Sequence, residues 1–461
     1  MRLSQLRALA GLVDGAGLTT DPDAMAAYGR DWTGAFEARP AAVVRPADTA
    51  AVARVVAYCA REAIAVVPQG GRTGLVGGAA PRDGEVVLSL ERMRRVRRVD
   101  LDNGALVVEA GATLDEADRA LARSGRRLPV DLASRGSAQV GGLVATAAGG
   151  MRQVRDGALA AHVRGLEVVL GDGRLLSNLS TLEKNNTGYA WPRLFCGSEG
   201  TLGVITAAAI GTVRVAPAAR ALWLTLADLG QLVPLVERAR ERCLGLLAAL
   251  EFIDQSAVEA LALAQAEVRP PAPEGAMHLL VATEASDGDV AEGALVALAE
   301  DALTLGLAAD AVLAQDERER RALWRVREAL PEAIGRLGRV RRYDVAVPLS
   351  TLPDLMAAVK DAIVARALPA RPVFYGHVAE GNVHLNAVLG ASADAAVEAA
   401  LDEVVYQSVV ARDGTISAEH GIGQLKRGHL HTMRSPAELA FMASLKALCD
   451  PSGILNPGKV L

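Results

Sequence analysis

The sequence predicts an α+β protein of two or three domains, and three observations lead to this fold class. The 461 residues are enough for two or three domains of ~150 residues each. Short apolar runs alternate with amphipathic segments along the chain. From about residue 216 the glycine density falls, and the elements follow the order β-α-β-β-α-β of a ferredoxin-like unit. We expect domains at 1–215 and 216–412, and a helical C-terminal segment at 413–461 that returns to the first domain.

Caps and apolar spacing predict the elements of the first domain. Asp48 caps a helix whose apolar residues recur at i, i+3, i+4 and i+7 up to Cys59. Thr113 caps a second helix, which runs to Leu121. The predicted strands are 64–67, which Pro68 ends, 86–90 and 105–109.

The same patterns predict two successive sets of elements in the second domain. The first set is strand 222–226, helix 232–243, strands 249–253 and 278–282, helix 290–303 and strand 311–314. A partial second set follows as strand 343–347, helix 352–364, strands 373–378 and 383–389, and helix 395–411. A last helix begins after residue 435 and ends near residue 450.

Composition excludes several classes of protein. With 49 Lys and Arg against 54 Asp and Glu, the net charge of −5 gives no electrostatic basis for binding nucleic acid. Four scattered cysteines without a CxxC pair exclude a zinc ribbon, an iron–sulfur cluster and a disulfide scaffold. The first apolar run is too short for a signal peptide, and no stretch of ~18 apolar residues is present. We expect a soluble cytoplasmic protein without a membrane span.

Three glycine-rich loops are the candidate binding elements of the first domain. They are PQGGRTGLVGG at 68–78, DLASRGSAQVGG at 131–142 and GSEGTLG at 197–203. Such loops expose rows of backbone N–H groups that can converge on an anion such as a pyrophosphate. Neither GxxxxGK[ST] nor GxGxxG occurs, which disfavours a P-loop and a standard dinucleotide site. Taken singly, each loop could equally be a flexible surface connection.

Together with NNTGY at 185–189, these loops resemble the FAD-binding domain of vanillyl-alcohol-oxidase-type flavoproteins. The nearest branch is the FAD-linked D-2-hydroxyacid dehydrogenases, including D-2-hydroxyglutarate and D-lactate dehydrogenases and the flavin subunit of glycolate oxidase. The first loop has no histidine for a covalent flavin bond, so the resemblance implies non-covalent FAD. Ala148 stands where relatives usually carry Asn. The expected FAD-binding residues are Pro68, Gly70, Gly71, Arg72, Thr73, Gly74, Leu75, Gly77, Asp131, Ser134, Gly136, Ser137, Gly141, Gly142, Gly150, Glu199, Gly203, Ile205 and Asn456.

A histidine-rich hairpin is the second candidate site. If Glu380-Gly381 forms a two-residue turn, His377 pairs directly with His384 at a Cβ separation of ~4.5–5.5 Å, which suits two ligands of one metal. Asn386 then lies on the same face. Glu419-His420 supplies a carboxylate and an imidazole, and two His with one Glu would form an open, catalytic metal site. Alternatively, these residues make unrelated hydrogen bonds.

The family resemblance assigns roles to these residues. It implies a divalent metal, zinc or manganese, on His377, His384 and Glu419, with His420 as the catalytic base. It also implies that Arg327, in a pattern similar to LWxxRE, binds the substrate carboxylate. Arg342, Asn386 and His420 complete the expected substrate contacts. Arg342 stands where the hydroxyglutarate branch commonly has Lys, and Pro331 stands where some relatives have Thr.

The expected activity is metal-assisted oxidation of a D-2-hydroxy acid to the 2-oxo acid, with hydride transfer to FAD. D-2-hydroxyglutarate and D-lactate are the favoured substrates. The expected partners are an electron acceptor, such as electron-transfer flavoprotein or quinone, and a second copy of the chain in a homodimer. Two alternatives stay open: a metal-free flavin oxidase of the same superfamily, and the flavin subunit of a glycolate-oxidase-like complex.

Overall fold

A computed structural model describes all 461 residues, and the chain divides into two compact units. The first unit consists of residues 1–150, 157–215 and 419–461, and the second of residues 151–156 and 216–418. How these units correspond to functional domains stays a prediction. No helix is both long and apolar enough to cross a membrane.

The strands and helices have the following bounds. The strands of the first unit are β1 Leu18–Thr19, β2 Ala42–Val44, β3 Val66–Gln69, β4 Val86–Ser89, β5 Val96–Asp100, β6 Ala105–Glu109, β7 Arg126–Arg127, β8 Val163–Val169, β9 Leu175–Asn178, β10 Val204–Gly211 and β11 Val213–Arg214. The strands of the second unit are β12 Ala218–Leu226, β13 Leu247–Asp254, β14 Met277–Ala285, β15 Asp310–Leu313, β16 Val340–Ala346, β17 Ala370–His377 and β18 Asn382–Leu389. The helices are α1 Leu3–Leu12, α2 Pro22–Ala26, α3 Thr49–Arg61, α4 Leu114–Leu121, α5 Val140–Ala145, α6 Gln153–Asp156, α7 Leu159–His162, α8 Leu232–Arg242, α9 Gln255–Ala264, α10 Gly288–Thr304, α11 Glu317–Glu328, α12 Leu330–Arg336, α13 Leu352–Ala365, α14 Ala395–Val410 and α15 Pro436–Cys449.

The first unit contains two main sheets that share one apolar core. One has the order β1-β2-β4-β3, and the other has the order β5-β6-β10-β8-β9 with antiparallel neighbours. Helix α3 begins as predicted, because the Asp48 side chain accepts a hydrogen bond from the backbone N–H of Ala51. Its predicted apolar stripe is buried in this core. Helix α4 has a capping box between Thr113 and Glu116.

The predicted C-terminal end of the strand at 64–67, which is β3 in the structure, is wrong. Pro68 lies inside β3 and does not terminate it, while Ile64 precedes the strand. Proline lacks a backbone N–H, but β3 is the last strand of its sheet and pairs there only with β4. An edge strand can accommodate a proline because one side of its backbone needs no partner within the sheet.

The second unit is built on one seven-stranded antiparallel sheet with the order β15-β12-β14-β13-β17-β18-β16. Numbered by chain order, its first four strands follow the spatial order 4-1-3-2 of a ferredoxin-like unit. The second set has the same order without a fourth strand. The two sets join where β13 pairs with β17. Helices α9, α11 and α12, which the sequence patterns did not predict, contribute buried residues to the core of this unit.

Candidate functional site

The first unit contains a deep pocket where the three glycine-rich loops meet. The pocket holds about 1390 Å³ of space between atoms, part of it open to solvent. It is lined by predicted FAD-binding residues Pro68, Gly70, Gly71, Arg72, Thr73, Gly74, Leu75, Ser134, Gly141, Gly142, Glu199, Gly203 and Ile205. Glu419 and His420 line the same pocket, which places the predicted base against the predicted cofactor space.

The other predicted FAD-binding residues do not line this pocket, namely Gly77, Asp131, Gly136, Ser137, Gly150 and Asn456. Asn456 instead connects two of the loops, because its Nδ2 donates to the carbonyls of Gly78 (3.0 Å) and Glu199 (2.6 Å). Asp131 is paired with Arg135 at 2.8 Å within its own loop. The NNTGY segment lies on the surface, where Tyr189 is 97% exposed.

Two glutamines that line the pocket were not predicted from the sequence. The Oε1 atoms of Gln69 and Gln139 are buried without a hydrogen-bond partner, although both residues line the pocket. Buried polar atoms normally have partners, so these atoms are suited to a polar ligand. At Gly142 a Cβ would meet no protein atom within 4 Å. A side chain there would not clash with the protein, so the glycine serves to leave space in the pocket. These features fit a cofactor with hydroxyl, N–H and phosphate groups.

The histidines of the second unit meet, but not in the predicted register. His384 pairs with Tyr375 across β17 and β18, which shifts the predicted pairing with His377 by two residues. The reason is a longer turn, because a 3₁₀ turn at Val378–Glu380 and a left-handed Gly381 replace the predicted two-residue turn. A shift of two residues keeps every side chain on its predicted face, so the two rings still converge. Their Nε2 atoms are 3.3 Å apart.

Each histidine has a buried carboxylate directly opposite it on the neighbouring strand. Glu251 of β13 pairs with His377, and Asp344 of β16 pairs with His384. The Nδ1 of His377 donates to Glu251 at 2.6 Å, and the Nδ1 of His384 lies 3.5 Å from an oxygen of Asp344. Because both Nδ1 atoms face carboxylates, both Nε2 atoms are directed toward the same space. This pattern is typical of histidines that ligate a metal.

Burial and charge set the protonation of this pair. Burial alone would raise the pKa of Glu251, but the neighbouring His377 and the guanidinium of Arg327 outweigh it and lower the pKa to about 2. Burial lowers the pKa of His384 to about 4. Glu251 therefore stays ionised between His377 and Arg327, and His384 stays neutral, the form in which a histidine ligates a metal.

Arg327, Arg342 and Asn386 lie around the histidines. The Nε of Arg327 donates to Glu251 at 2.7 Å, and its guanidinium stacks on the Tyr375 ring at 4.5 Å. Arg342 pairs with Asn386 directly across β16 and β18, one two-residue step from the Asp344–His384 pair and on the same face. Predicted substrate residues of the second unit are thus placed together beside the two histidines.

Comparison with known proteins gives the family. Residues 216–460 match the family described as FAD linked oxidases, C-terminal domain, and residues 40–178 match the FAD binding domain family. The chain belongs to the FAD-linked oxidases. It is 38% identical to the mitochondrial D-2-hydroxyglutarate dehydrogenase of Bos taurus, over 99% of this chain and 83% of that protein. It is 36% identical to a Schizosaccharomyces pombe protein named as a mitochondrial D-lactate dehydrogenase, over 97% of this chain and 87% of that protein.

The fold of this FAD-linked oxidase is also found in solved structures. The structure of p-cresol methylhydroxylase with substrate bound aligns with a TM-score of 0.79 and 17% identity, over 99% of this chain and 96% of that one. An alkyldihydroxyacetonephosphate synthase aligns with a TM-score of 0.74 and 17% identity, over 99% and 85%. The predicted vanillyl-alcohol-oxidase-type fold and the predicted FAD-linked oxidoreductase are confirmed.

The prediction of a cytoplasmic protein is wrong. The relatives from Danio rerio and Bos taurus, like the Schizosaccharomyces pombe protein, are named as mitochondrial. The prediction relied on cysteines without pairing motifs, and these remain free in the structure. Free cysteines indicate a reducing compartment, but they do not distinguish one reducing compartment from another. The metal, the electron acceptor and the homodimer stay predictions.

Proposed function

We propose that this FAD-linked oxidase is a metal-dependent dehydrogenase that oxidises a D-2-hydroxy acid to the 2-oxo acid. D-2-hydroxyglutarate is the first candidate substrate and D-lactate the second, following the names of the relatives. The observation that carries the proposal is the convergence of two carboxylate-backed imidazoles on one face of the sheet. FAD, when bound in the glycine-lined pocket of the first unit, supplies the hydride acceptor.

The two histidines are the first ligands of the proposed metal. A separation of 3.3 Å between their Nε2 atoms agrees with two nitrogens at about 2.0–2.1 Å from one tetrahedral zinc ion. Zinc is our first choice and manganese our second.

Glu419 is the proposed third ligand. The backbone N–H of Ala418 bonds to the carbonyl of Asp344, the strand partner of His384, at 3.3 Å. Glu419 is the next residue in the chain. Three protein ligands would leave a position for the substrate hydroxyl, and a metal there would lower the pKa of that hydroxyl group.

The chain's own residues bind and orient the acid. Arg327 is held at its Nε by Glu251, so the outer edge of its guanidinium is presented to the C1 carboxylate. Arg342 and Asn386 lie about 6.8 Å along the strands from the Asp344–His384 pair. This distance suits a second carboxylate. This second cationic group favours a dicarboxylate such as D-2-hydroxyglutarate. His420 takes the hydroxyl proton as general base.

Anaerobic bleaching of the flavin absorbance tests the proposal. Purified holoenzyme is mixed with D-2-hydroxyglutarate, D-lactate, glycolate and the corresponding L-acids. We expect rapid bleaching with D-acids, fastest with D-2-hydroxyglutarate, and little with L-acids. Bleaching by the L-acids alone, or by no 2-hydroxy acid, would exclude the proposed function.

A further inference from the structure

Glu199, in the third glycine-rich loop, has an unusual backbone. Its φ angle of +50° is in the left-handed region, where glycine and asparagine are usual and glutamate is uncommon. Such a conformation is strained and persists only where surrounding contacts maintain it. The side chain lines the pocket, and its carboxyl end is buried.

The contacts of the Glu199 carboxylate explain this conformation. One oxygen accepts a hydrogen bond from the backbone N–H of Ile422 at 2.7 Å, and the other accepts one from Gly423 at 2.8 Å. A Cβ on Gly421, whose φ is +84°, would lie 2.7 Å from the same carboxylate. The Glu199 carboxylate therefore occupies space that is free because residue 421, immediately after His420, is a glycine.

The opposite side of Glu199 is fixed by the end of the chain. The Nδ2 of Asn456 donates to the Glu199 carbonyl at 2.6 Å, and the Oδ1 of Asn456 accepts from the Nζ of Lys459 at 2.7 Å. Lys459 and Lys426 are both buried, and their charges oppose the rise in the pKa of the Glu199 carboxyl group that burial causes. Glu199 and Asn456 thus join the third glycine-rich loop to the 421–423 segment and to the end of the chain.

We propose that Glu199 is a positioning residue that holds the 421–423 segment, and through it the imidazole of His420, in its working place in the FAD pocket. This inference rests on the proposed function, because it assumes that His420 is the base. Both carboxylate oxygens bind backbone N–H groups, so Glu199 acts on the protein and not on the substrate. A misplacement of about 1 Å in such a group can reduce a rate by about 100-fold.

The test uses the variant Glu199→Gln in the holoenzyme. The amide keeps one acceptor but turns an NH₂ group toward the second backbone N–H. We expect normal FAD content, a KM within twofold of wild type, and a flavin reduction rate about 10- to 100-fold lower. The matched control is Glu438→Gln, which alters a carboxylate that accepts a backbone N–H at the start of α15. The control should leave the reduction rate unchanged.

A double-mutant cycle separates positioning from a merely structural role. If Glu199 acts through His420, then E199Q should slow the H420A enzyme by less than twofold, although it slows the wild type strongly. E199D, which keeps the charge but is shorter by one methylene, should restore part of the rate. A normal rate in E199Q, an additive effect in H420A, or loss of FAD in both Glu199 variants would overturn the inference. If wild type is not reduced by any acid, the proposed function fails and the inference fails with it.

Discussion

The two units form their candidate sites from different parts of the polypeptide. In the first unit the pocket is shaped by backbone, since glycine-rich loops approach one another closely and leave space. In the second unit the site is formed by side chains, which alternate along paired strands and meet their partners across the sheet. The difference teaches that the first site is sensitive to added atoms, whereas the second is sensitive to lost ligands and charges.

The largest effect is expected from removing a ligand in the second unit. His377→Ala deletes one of the two converging imidazoles. We expect stoichiometric FAD but no bound metal, and a flavin reduction rate lower by about 10³-fold or more, because metal-assisted catalysis contributes several kcal/mol. Stopped-flow bleaching and metal analysis measure both. The exposed His431→Ala is the control, and a His377→Ala enzyme with wild-type metal content would show that the metal proposal is wrong.

An added methyl group should disrupt the first unit instead. In Gly71→Ala the new Cβ would lie 1.8 Å from the carbonyl oxygen of Ser137, so the first and second loops must separate. We expect loss of most bound FAD with the second unit still folded, measured by flavin absorbance and circular dichroism. Gly11→Ala, whose Cβ would meet no atom within 4 Å, should retain FAD. Normal FAD in G71A would contradict a pocket shaped by backbone.

A smaller effect is expected from changing charge without removing a ligand. Glu251→Gln leaves both histidines in place but removes the carboxylate that His377 and Arg327 share. Partners of this kind contribute about 10- to 100-fold in metal affinity, so we expect a loss of that size with FAD unchanged. Metal titration measures it, with the exposed Glu259→Gln as control. Equal metal affinities in E251Q and wild type would show that Glu251 does not contribute to metal binding.

The smallest effect concerns stability of the second unit away from the site. His278 is fully buried against Trp223, and burial lowers its pKa to about 4. As the pH falls from about 6.5 toward 4, the unfolded chain binds a proton that the folded chain does not, so folding becomes less favourable. Between pH 8 and pH 5 we expect wild type to lose about 2 kcal/mol more than His278→Phe. Urea unfolding of both proteins at the two pH values measures this difference. Equal losses would mean that His278 does not titrate as described.

Local signals in the sequence were sufficient for most elements. The Asp48 and Thr113 caps and the 3.6-residue apolar spacing depend on neighbours within a few residues, so α3 and α4 were predicted closely. Glycine-rich composition located the candidate FAD pocket because the loops themselves form it. The hairpin register was wrong because the extra residues of a 3₁₀ turn have no distinctive composition.

Residues that act across long chain separations could not be predicted. Glu251 lies 126 residues before His377, and Glu199 lies 223 residues before Ile422. A lone Glu in a buried strand has no local pattern that reveals its partner. The one available signal for Glu251 was an acidic residue in the otherwise apolar segment 247–253, because a buried charge requires a partner. The cellular compartment could not be predicted from local sequence signals either.

The most direct measurement is metal removal and return on one sample of holoenzyme. The protein is treated with EDTA, its metal content is measured, and anaerobic bleaching with D-2-hydroxyglutarate is followed before and after Zn²⁺ or Mn²⁺ is added. We predict that FAD stays bound throughout, that bleaching stops when the metal is removed, and that it recovers when the metal is restored. Rapid bleaching by metal-free enzyme would contradict the claim that the two histidines hold a cation needed to oxidise the acid.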